Sequence, residues 1–149
     1  METGKFILYN TLKAIFLHID NHEKVLFNQF DLSVVRFYAL MHIHNHPRIN
    51  YIELSNLLLC TKGNTTRIVA SLQADGFVER VGSQSDGRAF ELTLSDKGEA
   101  LYQRVHSAYL QQIDQMMSHF DDNELARYSE MSGLIERKLA PVDSLAGGI

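Results

Sequence analysis

At 149 residues the chain can fill one good core and is short for two independent domains. Apolar residues make up 45% and charged residues 21%, an ordinary globular mix, and no apolar run nears the roughly 20 residues of a membrane-spanning helix. With 14 basic against 18 acidic residues the net charge is −4, so any affinity for nucleic acid must come from a local constellation. The start Met1-Glu2-Thr3-Gly4-Lys5 lacks a secretory leader's basic run and cleavage site, and the single Cys60 cannot close an internal disulfide. Both point to a reducing cytoplasm.

In chain order, Leu12, Ile15, Phe16, Ile19, Leu26, Phe27 and Phe30 recur at steps of three and four, which predicts a first helix over 5–30. A second helix fits 32–46 and stops before Pro47. Arg48-Ile49 reads as a short extended link. Asn50 and Glu53 have capping-box spacing and open a third helix over 51–58. Thr61 caps a fourth that ends at Gly76. The period then switches: Phe90, Leu92 and Leu94 alternate, 77–81 is a partner strand, and the turn-forming stretch 82–88 joins them into a hairpin. Ser95 caps a long fifth helix, and Asp121 with Glu124 opens a sixth. Residues 141–149 read as a frayed tail.

The expected class is mainly α with a small β-hairpin wing (α+β): a winged helix-turn-helix whose terminal helices form a dimerisation domain. Residues 31–94 make the DNA-binding module, and 1–30 with 95–140 supply the dimer helices. The long amphipathic helices at both ends are surplus to the winged module, so a partner subunit has to bury their stripes.

Leu72-Gln-Ala-Asp-Gly76-Phe-Val-Glu-Arg80, then Ser85-Asp86-Gly87-Arg88, then Leu92-Thr-Leu94-Ser95-Asp-Lys-Gly98 resembles the signature of the MarR family of multiple-antibiotic-resistance-type regulators. Gly87 stands where an Arg is common and Ser95 where Thr is usual. The resemblance covers about residues 1–140 and implies a triangular homodimer straddling double-stranded DNA. It also implies a repressor, one that a small aromatic or anionic effector, or an oxidant, can release.

The residues carry this reading by themselves. On the fourth helix Thr65, Val69 and Leu72 share a face, with Ile68 at its edge, while Gly63, Asn64, Arg67, Ser71 and Ala74 fall opposite. An apolar inner stripe with small and hydrogen-bonding residues outward suits a major groove. Arg67 can grip guanine O6 and N7, and Asn64 suits adenine N6 and N7. Thr61, Lys62 and Thr66 surround the helix start, whose free N–H groups suit a phosphate. Arg80 at the hairpin base can reach the DNA backbone or pair with Glu79 or Asp86. Arg88 at the wing tip can enter the minor groove, and Asp86 either orients its guanidinium or shapes the turn.

Other signals are bland. His18 with His22 and His42 with His46 have i,i+4 spacing that can bind zinc, yet a helix C-terminus favours histidine in any case, so no metal site is expected. Cys60 follows Leu57, Leu58 and Leu59 and reads as a small packing residue. Arg36 on the second helix is either a carboxylate-binding group for an effector or an exposed arginine. No phosphate loop, nucleophile–base pair or carboxylate pair is present, so neither an enzyme nor a cofactor is expected. The alternative to a DNA-binding regulator is a winged-helix dimer that binds a protein or metabolite and has little affinity for DNA.

Overall fold

The computed structural model describes residues 3–82 and 89–140. Helix α1 (Gly4–Asn28) starts at Thr3, whose hydroxyl accepts from the Phe6 N–H, and ends where Asp31 takes φ 55°. Helix α2 (Val34–Asn45) is capped by Ser33 and is shorter than its apolar pattern suggests: Leu32 is buried but lies outside the helix. Helix α3 (Tyr51–Leu58) opens with the Asn50–Glu53 capping box, both reciprocal bonds being present. Helix α4 (Lys62–Ala74) follows its Thr61 cap, and Gly76 at φ 79° turns the chain out of it.

The wing strands β2 (Val78–Gly82) and β3 (Phe90–Leu94) pair antiparallel, with Val78 opposite Leu94 and Gly82 opposite Phe90. Ile49, expected with Arg48 in a short extended link, joins the cap residue Asn50 in a short strand β1 (Ile49–Asn50) on the other side of β3. The sheet order is therefore β1-β3-β2. Arg48 makes this corner at φ 65°, and its guanidinium donates to the Gly82 carbonyl at 3.1 Å and the Glu91 carboxylate at 3.0 Å. A bulky residue in that region is strained, and the two bonds offset the strain.

One core joins these elements. Phe27 of α1 stacks on Phe37 of α2 at 4.3 Å between ring centroids, beside Leu40, Ile43, Leu54, Val69, Leu72 and Leu92. Each such side chain, fully withdrawn from water, contributes about 1.5–3 kcal/mol. Helix α5 (Asp96–Met117) reaches this core through Leu101, Tyr102 and Val105. Its start is locked to the α4–β2 turn: Ser95 donates to the Gly76 carbonyl, and its amide N–H bonds the Phe77 carbonyl at 3.0 Å. A Cβ at Gly98 would stand 2.0 Å from that same Phe77 oxygen, so the helix approaches only because position 98 has no side chain.

The ends of the chain are different. Along α1, Phe6, Ile7, Leu8, Tyr9, Ile15 and Phe16 are half or more exposed. Helix α6 (Asp122–Leu139) buries none of its residues, and Met131 and Leu134 face solvent. No described helix is long and apolar enough to cross a membrane.

Candidate nucleic-acid interface

Helix α4 is presented by α3 through a buried polar joint. Ser55 Oγ lies 2.8 Å from Thr65 Oγ1, which donates to the Thr61 carbonyl at 3.0 Å. Thr65 is completely buried, as are Val69 and Leu72, while Ile68 is half-buried at the edge. The connection between the helices passes through Leu59 in the left-handed region at φ 54°, a place more usual for glycine. Its side chain is 71% exposed, so the conformation is not maintained by burial of the leucine.

The opposite face of α4 is open. Gly63, Asn64, Arg67, Ser71 and Ala74 are all exposed. Arg67 donates to the Asn64 side-chain oxygen, so these two polar groups form one preset unit. At the helix start Thr61 Oγ1 accepts from the Asn64 N–H at 3.2 Å, and the remaining first-turn N–H groups are of the kind that receive anions. Thr66 donates its hydroxyl to the Lys62 carbonyl at 2.9 Å, which commits the proton and leaves the oxygen as an acceptor. Lys62 is exposed.

Arg80 packs on the wing. Its guanidinium carbon lies 4.1 Å from the centroid of the Phe90 ring on the neighbouring strand, a cation–π contact. Asp86 and Arg88 lie outside the described residues.

Arg36 is neither exposed nor free. It is bonded to Asp75, the residue that caps the C-terminal end of α4, and so bridges α2 to the reading helix. Sequence reasoning missed this pair because 39 residues separate the partners and no periodicity links them.

His18 and His22 are exposed, while His44 has packing partners. His44 Nδ1 sits 2.8 Å from the Glu99 carboxylate, which that contact draws below the ordinary carboxylate range, and its ring stacks on Tyr102. Burial, with a smaller effect from His46, pushes the His42 imidazole down. Among the described residues no group of three or more His, Cys, Asp or Glu is arranged to hold a metal ion. Cys60 is half-buried, its thiol 3.5 Å from the Leu58 carbonyl.

Where α1, α2 and α5 meet, Glu23 is only 9% exposed and accepts from the Tyr38 hydroxyl, which lies 3.2 Å from that of Tyr109. Burial pushes the Glu23 carboxyl up, against the smaller opposing effect of the Tyr38 hydrogen bond. Tyr38 itself is pushed up by burial and by the carboxylate beside it.

Residues 30–89, from the end of α1 into the wing, match the model of the MarR family. Among curated relatives, the HTH-type transcriptional regulator BilQ of Clostridioides difficile is 26% identical over 123 residues, 83% of this chain and 80% of that protein. A MarR protein from Peptoclostridium difficile has a solved structure that superposes with a TM-score of 0.82 at 22% identity, over 93% of this chain and 91% of its own. The structure of Streptococcus pneumoniae FabT in complex with DNA superposes with a TM-score of 0.78 at 21% identity, over 89% and 94%. Gly76, Ser95 and Gly98 form the close seam between α4, β2 and α5 described above. The curated relatives that the chain matches are named HTH-type transcriptional regulators.

Proposed function

We propose that the protein is a cytoplasmic, homodimeric, sequence-specific repressor that binds an inverted-repeat DNA site. In this reading residues 31–94 form the reading module, and 1–30 with 95–140 form the dimer arms. The observation that carries it is α4: a fully buried Thr65–Val69–Leu72 stripe backs an open face of Asn64, Arg67 and Ser71 at a capped helix start. Asn64 and Arg67 read base edges, while Thr61, Lys62, Gly63, Thr66 and Arg80 serve the phosphate backbone. Arg88 enters the minor groove, oriented by Asp86. Similarity to HTH-type transcriptional regulators and to FabT, whose structure is solved in complex with DNA, supports the assignment. The reading includes release from DNA by a small aromatic or anionic ligand.

The test is selection of duplexes from a random or genomic pool, followed by titration in rising salt. Arg67→Ala should cost about 1–3 kcal/mol and relax preference at one base position, and Arg88→Ala should cost a comparable amount. Wild-type affinity from both variants would sink the reading.

The net charge of −4 favours a second reading, a winged dimer that binds a protein or metabolite and holds DNA weakly. Absence of any salt-dependent retention of selected duplexes would decide for it.

A further inference from the structure

Between the N-terminus of α2 and the outer side of α4 lies an open cleft of about 400 Å³, lined among others by Ser33, Arg36, Cys60, Asn64, Arg67 and Ser71. Two guanidiniums, two hydroxyls and an amide line it, and no carboxylate does. Arg36 is paired with Asp75 outside this lining, so Arg67 supplies the cleft's net positive charge. The cleft adjoins the exposed face of α4 and reaches its first turn at Asn64. Its cationic anchor, Arg36, comes from α2.

Arg36 is also incompletely used. Asp75 engages Nη2 alone, not the parallel two-bond fork that arginine and carboxylate form at their best. Among the described residues the Arg36 Nε is buried without a hydrogen-bond partner. A buried N–H left unmet costs free energy, so a small turn of the guanidinium toward a better acceptor is favoured once one arrives. Asp75 is half exposed, and water can take over its oxygens when Arg36 leaves.

We propose that this cleft is an oxyanion site, and that its occupant is a backbone phosphate flanking the base step read by Asn64 and Arg67. Arg36 supplies the charge-assisted bonds, Ser33 and Ser71 border the anion, and Asp75 holds the guanidinium in reserve when no DNA is present. The proposal rests on the DNA-binding reading above and extends its footprint from α4 to α2.

The experiment uses the full-length protein and a duplex selected by it. Arg36→Gln should weaken binding roughly tenfold on every sequence that binds, without altering base preference. The slope of log affinity against log salt should become less steep by about one. Arg36→Lys should restore the slope while recovering only part of the affinity, since a point charge replaces a planar fork. A purely structural Arg36 would lower the melting temperature and leave the slope alone. If Arg36→Gln does not fold, Asp75→Asn carries the test: it releases the guanidinium and removes a charge that repels phosphate, so binding should tighten about two- to fivefold. An unchanged slope in Arg36→Gln, or weaker binding in Asp75→Asn, overturns the proposal. Inorganic phosphate, titrated without DNA and followed by the amide signals of Ser33 and Arg36, checks the source of the anion. Saturable, Arg36-dependent shifts together with an unaltered DNA slope would reassign the site to a free anion and overturn the duplex contact. Loss of salt-dependent binding in the wild type is a separate result, and it defeats the DNA reading instead.

Discussion

Gly98 shows how much one missing methyl can decide. A Cβ there would meet the Phe77 carbonyl oxygen at 2.0 Å, and a backbone oxygen cannot swing aside as a flexible side chain would. Gly98→Ala should therefore cost at least the ~1–3 kcal/mol usual for overpacking, read as a lower denaturant midpoint. A loss below about 0.5 kcal/mol would mean that the seam between α5 and β2 is looser than described. Leu59 presents the reverse case. Its left-handed φ of 54° costs a leucine roughly 1–2 kcal/mol, while glycine's extra freedom in the unfolded chain costs about 0.5–1 kcal/mol. Leu59→Gly should leave stability level or raise it by up to about 1.5 kcal/mol. A clear loss would mean that the exposed leucine makes contacts worth more than its strain. Nothing in the sequence flagged Leu59, because left-handed backbone is ordinarily announced by Gly or Asn.

At the scale of elements, the local code was legible and the long-range code was not. Asn50, Thr61, Ser95 and Asp121 each cap the helix their spacing announces, and Gly76 ends α4 as expected. Caps and periodicities are written in neighbouring residues, so one chain suffices to read them. The β1–β3 pairing and the Arg36–Asp75 bridge join segments with no shared period, and only the folded chain brings them together. On α4 the outward residues were legible from the helical period, but the bond that joins Arg67 to Asn64 was not. The Glu23–Tyr38–Tyr109 contact is another joint of the long-range kind, tying α1 to α2 and α5. Its pH behaviour follows from burial. The Glu23 carboxyl is raised above 4.5, so in the window just above that value the native state retains a proton that the unfolded chain has released. Its contribution to stability is fullest below 4.5 and falls as pH rises through the native value. Relative to Glu23→Gln, the wild type should thus gain melting temperature on acidification from neutral pH. The opposite titration of Glu99 is common to both proteins and cancels from the difference. A difference that stays flat with pH would mean that Glu23 is as well solvated in the folded protein as in the unfolded one.

For the whole molecule, the exposed stripes of α1 and the wholly unburied α6 are the largest fact that a single chain leaves unexplained. Exposed apolar residues gathered along terminal helices are expected to meet their counterparts in a second copy. Sedimentation at micromolar concentration should accordingly find a dimer, and selected DNA sites should have dyad symmetry with half-site centres about 10 bp apart. A chain ended after His119 lacks α6 and should aggregate or misassemble. A stable monomer, or a selected site without a dyad, counts against this assembly. There is a kinetic and genetic corollary to a helix with nothing of its own to fold against. While chains are scarce, the number of complete molecules rises with the square of the number synthesised, since each needs a companion before its last helix has a home. Halving the gene's output would then more than halve the working regulator, and the unpaired remainder would offer α6 to proteases as an open end. Dosage, as much as any ligand, would set how sharply such a protein responds.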